Sequence, residues 1–166
     1  MTTPVLELVD LEVAYRVRGV ERPVVRGVSL RIMPGESYGL VGESGCGKST
    51  IAYAAVKYLP RNGRVTGGQV RFEGRDVLSL DEDATARLRM QGVSMVYQNP
   101  IASLNPTIRV GAQVAEVFRM LGADRAEAMR RATAALEQVQ IADPERVMRR
   151  YPHQLSGGMA QRVVIA

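Results

Sequence analysis

The pattern of hydrophobic and polar residues divides the chain into a strand-rich first part and a helix-rich second part. Three segments in the first forty residues are rich in β-branched and apolar residues, and we expect strands over Val5–Val9, Val24–Ile32 and Ser37–Val41. Pro34-Gly35 predicts a turn between the last two strands. A further hairpin is expected where Gln69–Phe72 runs into the turn residues that follow it.

Helical spacing of apolar residues begins at Lys48 and returns later in the chain. Ile51, Ala54, Ala55 and Tyr58 predict a helix from Lys48 to about Tyr58. A short charged helix over 80–91, a buried strand over 92–97 and a loop over 99–107 should follow. Apolar spacings of three and four then predict two amphipathic helices that are broken at Gly122, the second of them starting at a capping box formed by Asp124 and Glu127.

Composition narrows the class of protein. The chain has 166 residues, of which 46% are hydrophobic and 23% charged, and this is ordinary for a folded domain. It has no apolar run of the length that a membrane-spanning helix needs, and its start does not resemble a signal peptide, so we expect it to stay in the cytosol. The net charge of +5 would suit an acidic partner, but tryptophan is absent and phenylalanine occurs twice. Because stacked bases need aromatic platforms, a nucleic-acid partner is not expected.

A glycine-rich segment between a predicted strand and a predicted helix carries the first chemical signal. Residues 42–50 read Gly-Glu-Ser-Gly-Cys-Gly-Lys-Ser-Thr and match the P-loop pattern G-x-x-x-x-G-K-[ST]. Glycines let the backbone wrap a phosphate, and the helix N-terminus adds positive potential there. We therefore predict an ATP-binding loop formed by Gly42, Glu43, Ser44, Gly45, Cys46, Gly47, Lys48, Ser49 and Thr50.

Two side chains of this loop have individual predicted roles. Lys48 should reach the β- and γ-phosphates, and the Ser49 hydroxyl should be a ligand of Mg²⁺. The alternative is a glycine-rich turn that ends in Gly-Lys-Ser by chance. The loop alone indicates only that a nucleoside triphosphate binds.

A second motif lies more than a hundred residues further on. Leu155-Ser156-Gly157-Gly158-Met159 resembles the signature of the ABC transporter ATPases, with Met159 where glutamine is more usual. A serine and two glycines at a helix start form a second phosphate-binding surface. In this family the signature of one ATPase contacts ATP held by the P-loop of its partner. The resemblance therefore implies that Ser156, Gly157 and Gly158 bind ATP in trans.

Two more positions fit this family. Gln98 resembles the Q-loop glutamine. The resemblance implies that Gln98 shares the catalytic role with Lys48, and that it holds Mg²⁺ together with Ser49. Tyr15 lies upstream of the P-loop, where an aromatic residue of the family stacks on adenine. A tyrosine at a strand end is as often a packing residue, so both readings of Tyr15 stay open.

The resemblance narrows to one branch of the family. The segments Tyr97–Pro106 and Arg150–Arg162 are similar to those of the oligopeptide, dipeptide and nickel importers. This implies ATP and Mg²⁺ as cofactors, and as partners a second ABC ATPase subunit, identical or different, and transmembrane permease subunits. The expected location is the cytoplasmic face of the cell membrane, as a peripheral protein.

The fold class that follows is α/β, a truncated P-loop NTPase ABC cassette with an N-terminal antiparallel β-subdomain and a helical subdomain. We expect the β-subdomain and nucleotide-binding core over residues 1–110, and the helical subdomain with the signature over 111–166. A Walker B strand, a catalytic glutamate and a switch histidine are expected in the family, and these 166 residues do not contain them.

Three origins of this difference stay open: a fragment of a longer protein, a degraded or split gene, and a chain that another polypeptide completes. Because hydrolysis needs a carboxylate to orient water, the chain is not expected to be a competent ATPase by itself. The leading interpretation is the N-terminal part of a peptide importer ATPase. The alternatives are a non-transport ABC ATPase and a non-catalytic nucleotide-binding module.

Overall fold

The computed structural model describes residues 2–166, and these form two compact units. The first unit ends at Ser94, and the second runs from Met95 to Ala166. Each unit has its own hydrophobic core. No helix within residues 2–166 combines the length and the apolar character that a bilayer crossing requires.

The first unit contains a four-stranded antiparallel sheet. Its strands are β1 (Leu6–Val17), β2 (Val20–Ile32), β3 (Gly63–Phe72) and β4 (Arg75–Asp76), and their order across the sheet is β2-β1-β3-β4. Arg18 and Gly19 join β1 to β2, and both have positive φ. This is the backbone that a two-residue hairpin needs, because its twist matches that of the strands. The strands predicted near Val5 and Val24 are confirmed, and both are longer than expected.

A bulge in β1 decides which residues of the sheet reach the core. Leu8 is buried, and strict alternation would bury residues 10 and 12 next. The β1 register shifts around Asp10, which has a φ of 45°, so that Leu11 and Val13 are fully buried instead. Opposite the bulge, Gly68 also has a positive φ.

Helix α1 (Lys48–Ala55) covers one face of this sheet. Its apolar face packs into a core with side chains from β1, β2 and β3; the core residues are Leu8, Leu11, Val13, Val25, Ile51, Ala54, Ala55, Val70 and Val77. The helix ends before the predicted Tyr58 because Lys57 takes a left-handed conformation, with a φ of 52°. A short helix α2 (Glu82–Arg87) continues into a π-helical turn over Leu88–Gly92.

Two predicted strands are wrong. Residues 37–41 and 92–97 form no strand, and within residues 2–166 neither segment has a strand neighbour. Both have β-forming sequences, yet a strand exists only where a neighbour completes its hydrogen bonds. The apolar side chains of the first segment are exposed, and that of Val41 is 96% exposed.

Four helices form the second unit: α3 (Val110–Met120), α4 (Arg125–Gln138), α5 (Pro144–Met148) and α6 (Gly157–Ile165). The predicted break is confirmed at Gly122, which has a φ of 94°. Asp124 caps α4 through a 2.9 Å bond from the Glu127 amide, whereas the Glu127 carboxylate pairs with Arg130 and Arg131. The core of this unit lies among Val110, Val114, Ala128, Ala132, Leu136, Val147, Leu155, Ala160 and Val163.

The bulge gives a stability test. A Cβ on residue 68 would lie 2.3 Å from the carbonyl oxygen of Asp10, and the backbone there has a φ of 81°. We expect Gly68→Ala to lower the free energy of unfolding by about 2 kcal/mol or more, measured by urea denaturation. Gly67→Ala is the control, because the three atoms nearest to its Cβ would all belong to the movable side chain of Glu12. Equal losses in the two variants would contradict this account of the bulge.

Candidate functional site

The glycine-rich loop ends against strand β2. Gly45 and Gly47 have φ values of 83° and 98°, in the left-handed region that favours glycine. A Cβ on residue 47 would lie 3.2 Å from the carbonyl oxygen of Val24 and 3.4 Å from the side chain of Val25. Backbone conformation and close packing therefore both require glycine at the position where α1 begins.

The Lys48 side chain folds back over the loop. Its Nζ donates to the carbonyl oxygens of Gly42, at 2.8 Å, and Glu43, at 2.7 Å, and it lies 3.5 Å from Sγ of Cys46. The ammonium group is thus held by the backbone at the start of the loop whose other end opens α1. This arrangement keeps one positive charge at the N-terminus of the helix.

The N-terminus of α1 has no side chain that caps it. Helices α2, α4, α5 and α6 each begin with a side chain that accepts a backbone N–H, whereas α3, like α1, has no such cap; the capping residues are Asp81, Asp124, Asp143 and Ser156. At α1 the N-cap is Gly47, which has no such group. The first N–H groups of a helix have no partner within the helix, so those of α1 are available to an anion. The exposed Ser49 lies in the same first turn.

Tyr15 connects three elements of the first unit. It belongs to β1, its hydroxyl lies 3.3 Å from Oγ1 of Thr50 in α1, and its ring covers Gly63 of β3 so closely that a Cβ there would be 2.8 Å from Cε1. The side chain is half-buried. Tyr15 thus lies beside the helix that follows the loop, and its role toward adenine stays a prediction.

Sequence reasoning missed the groups that hold the other end of α1. Nζ of Lys57 donates to the carbonyl oxygens of Leu78, at 3.0 Å, and Leu80, while the Arg89 guanidinium donates to those of Val56, at 3.0 Å, and Lys57. Cations at a helix C-terminus favour its dipole and satisfy its last carbonyls. Lys57 was visible as a basic residue at the helix end, whereas Arg89 is 32 residues away in sequence and only the fold brings it there.

The signature motif begins α6 in the second unit. Ser156 is its N-cap, and Oγ accepts a 3.3 Å bond from the Met159 amide. Gly157 and Gly158 are exposed, and a Cβ on either would meet nothing within 4 Å. Packing within the unit therefore does not require glycine at these two positions. The space in front of them is open to another molecule.

Apolar residues within and after the motif fix α6 in place. Leu155, the first residue of the motif, and Ala160 and Val163, which follow it, are buried in the core of the second unit. Nη1 of Arg162 donates to the carbonyl oxygen of Gln140 at 2.7 Å, where the chain leaves α4. The first residues of α6 thus lie at the surface, while the rest of the helix is held in the core.

The segment before the signature is also ordered by specific contacts. The rings of Tyr151 and His153 stack 5.7 Å apart, and the Arg109 guanidinium lies 5.8 Å from the Tyr151 ring centre. The Gln154 side chain accepts from the Tyr151 amide at 2.9 Å. Gln98, by contrast, is exposed in an irregular segment of the second unit. Its predicted Mg²⁺ and catalytic roles stay predictions.

The loop and helix of the first unit define a P-loop protein. Comparison with known families identifies which family of P-loop proteins the chain belongs to. The ABC transporter family model matches residues 25–166. The match covers both the P-loop and the signature. The chain belongs to the ABC transporter family.

Over the aligned segments, curated relatives are identical to the chain at about two fifths of the positions. It is 41% identical over 163 residues to a probable peptide ABC transporter ATP-binding protein, y4tR, of Sinorhizobium fredii, covering 97% of this chain and 49% of that protein. Against the oligopeptide transport ATP-binding protein OppD of Bacillus subtilis the identity is 40%, with 99% and 46% covered. Against the glutathione import ATP-binding protein GsiA of Salmonella typhimurium it is 42%, with 98% and 27% covered. The chain spans about half the length of these relatives or less.

Solved structures confirm the fold class. The dimeric ATP-binding cassette MJ0796, in a post-hydrolysis state bound to ADP and Pi, matches with a TM-score of 0.81 and 25% identity over 96% of this chain and 67% of that one. CbiO1 of Clostridium perfringens, part of the complex cbiONQ, matches with a TM-score of 0.75 and 23% identity over 98% of this chain and 60% of that one. The chain has the ABC cassette fold, with an antiparallel sheet and a helical region.

The start of α6 gives a second stability test. Ser156→Ala removes the cap and should lower the free energy of unfolding by about 1 kcal/mol, measured by thermal or urea denaturation. Ser156→Asp should keep the stability, because aspartate is as good an N-cap as serine. An alanine variant as stable as the unmodified chain would show that the Ser156 hydroxyl does not hold the helix start.

Proposed function

We propose that the chain is the N-terminal part of the ATP-binding subunit of an ABC importer, and that residues 42–50 bind Mg²⁺–ATP. The observation that carries the proposal is the open N-terminus of α1, which begins at a left-handed glycine and holds the Lys48 ammonium beside it. Nucleotide binding is the step proposed for the residues present here. Hydrolysis coupled to transport is proposed for the complete protein.

The residues of the loop fit a triphosphate. The N–H groups that open α1 would hold the phosphates, since they have no capping side chain. Lys48 would exchange the carbonyl oxygens of Gly42 and Glu43 for β- and γ-phosphate oxygens. The Ser49 hydroxyl, exposed in the first turn, would be a ligand of Mg²⁺, and the metal would neutralise charge on the phosphates.

Tyr15 would place the base. Its hydroxyl lies 3.3 Å from Thr50, the last residue of the loop motif, so its position is coupled to the helix that carries the phosphate site. We propose that the exposed part of this ring stacks on adenine. The bond to Thr50 and the contact with Gly63 would keep the ring in a fixed orientation.

The signature would serve a partner's nucleotide. Ser156, Gly157 and Gly158 lie exposed at the start of α6, and a Cβ on either glycine would meet nothing within 4 Å, which suits contact with the γ-phosphate of ATP on a second cassette. The dimeric form of the similar cassette MJ0796 supports such pairing. We further propose that Gln98 contributes to the Mg²⁺ site, and that transmembrane permease subunits are the other partners, at the cytoplasmic face of the membrane.

The transported substrate is proposed to be a peptide. Relatives described as peptide, oligopeptide and glutathione transporters are 40–42% identical over nearly the whole chain. Glutathione is itself a tripeptide, so all three descriptions agree on small peptides as the class of cargo.

The phosphate site is tested by equilibrium binding of Mg²⁺–ATP to the purified chain, followed by calorimetry or by a fluorescent ATP analogue. We expect Lys48→Ala to weaken binding at least about tenfold, because charge-assisted bonds to the phosphates are lost. Arg61→Ala removes an exposed cation elsewhere in the first unit and is the matched control. Similar affinities for the Lys48→Ala and Arg61→Ala variants would exclude residues 42–50 as the site.

The metal role of Ser49 has its own test. Ser49→Ala should reduce the gain in ATP affinity that Mg²⁺ gives, while ATP binding in the presence of a chelator stays nearly unchanged, since only a metal ligand is removed. Titration of Mg²⁺ at fixed ATP measures this difference. If the variant loses affinity equally with and without Mg²⁺, Ser49 contacts the phosphates and not the metal.

A further inference from the structure

Arg22 lies directly opposite Tyr15 where β1 pairs with β2. Residues that face each other across an antiparallel pair project from the same side of the sheet, with Cβ atoms about 5 Å apart. The Tyr15 hydroxyl lies 3.3 Å from Oγ1 of Thr50 in α1, so the Tyr15 side of the sheet is the side that α1 covers. Arg22 therefore projects on the side where the phosphate loop leads into its helix.

Two other arginines near Tyr15 project from the far side of the sheet. Arg16 follows Tyr15 in β1, and successive residues of a strand point to opposite sides. Glu21 lies opposite Arg16 and pairs with Arg64 of β3, so these three side chains share the far side. Of the three arginines, Arg22 is the one on the side of the loop.

The Arg22 guanidinium is exposed and has no partner in the part of the chain that the structure describes. No carboxylate there lies within ion-pair distance of it, and it makes no side-chain hydrogen bond or ring contact. A guanidinium stays charged, and its five N–H donors match the oxygens of a phosphate group. The group is thus available to an anionic ligand.

The phosphate loop and Tyr15 fix two points of the path that a nucleotide would take. The end of the loop packs on β2, since a Cβ on Gly47 would lie 3.2 Å from the carbonyl oxygen of Val24. Val24 is two residues, or roughly 7 Å, along β2 from Arg22. A nucleotide with its β- and γ-phosphates at Gly47 and its base at Tyr15 has its α-phosphate and ribose in between, alongside Arg22.

Two exposed valines extend the base end of this path. Val17 and Val20 face each other across the hairpin beyond Tyr15, and they are 48% and 55% exposed. Because Val17 lies two residues after Tyr15, both valines project on the Tyr15 side of the sheet. An apolar edge suits a base or a ribose and not a phosphate. The charged part of a nucleotide therefore belongs on the α1 side of Tyr15, within reach of Arg22.

We propose that the Arg22 guanidinium binds the α-phosphate of the nucleotide. The inference rests on the proposed function of residues 42–50, and it adds a binding residue from β2 that lies outside that loop. Lys48 serves the β- and γ-phosphates, whereas Arg22 serves the α-phosphate, which ADP and ATP share. Arg22 thus strengthens the binding of both nucleotides equally.

The test is calorimetry with Mg²⁺–ATP and Mg²⁺–ADP on the full 166-residue chain. We expect Arg22→Ala to weaken both nucleotides by a similar factor of about tenfold, because a charge-assisted bond is lost. Arg22→Lys keeps the charge and should recover part of the loss. Arg16→Ala, which removes an exposed arginine on the far side of the sheet, is the matched control and should bind both nucleotides like the unmodified chain. Lys48→Ala should weaken ATP more than ADP.

Phosphorus NMR of the bound nucleotide identifies the phosphate that is involved. In Arg22→Ala with saturating Mg²⁺–ADP, the α-phosphate resonance should shift toward its position in free ADP, and the β-phosphate resonance should stay nearly unchanged. Arg16→Ala should move neither resonance. This readout separates a direct contact from a general weakening of the site.

Two results would overturn the inference and leave the proposed function intact. The first is equal nucleotide affinity of Arg22→Ala and Arg16→Ala while Lys48→Ala binds weakly. The second is weaker binding by Arg22→Ala with an unchanged α-phosphate resonance, which would place the guanidinium on the base. If Lys48→Ala binds both nucleotides as tightly as the unmodified chain, the proposed function fails, and this inference fails with it.

Discussion

The conformation of Gly47 is the constraint on which the candidate site depends. Its left-handed backbone has a φ of 98°, and the Val24 carbonyl oxygen lies where a Cβ would come within 3.2 Å of it, so glycine fixes the point at which α1 begins against β2. A helix that starts on glycine has no side chain to occupy its first N–H groups. Three further features hold the elements that meet at this point: the bulge in β1, the short hairpin into β2, and the cations at the far end of α1.

The two helix starts with chemical signals in this chain are built in different ways. At α1 no side chain caps the first N–H groups, and the Lys48 ammonium is held within the same loop by the carbonyl oxygens of Gly42 and Glu43. At α6 the Ser156 hydroxyl already bonds the Met159 amide, and the two glycines after it have space in front of them. The first arrangement suits a resident phosphate. The second suits a surface that another molecule approaches.

Sequence alone predicted much of this because its strongest signals are local. The P-loop pattern, the break at Gly122 and the Asp124 cap depend on residues a few positions apart, and the structure has the last two where they were expected. The strands over 37–41 and 92–97 were predicted wrongly because a strand requires a neighbour, and a β-forming sequence cannot supply one. Arg89 at the end of α1 and the Tyr15–Thr50 contact were not predictable, since folding brings together residues more than thirty positions apart.

The central claim is that the N–H groups opening α1 hold phosphate, and the most direct measurement is of those amides themselves. Backbone NMR shifts of the 18.1 kDa chain should change most at Gly45, Gly47, Lys48 and Ser49 when Mg²⁺–ATP is added, and adenosine should not move them. If ATP changes the shifts of other residues but leaves these four amides unchanged, the account is contradicted.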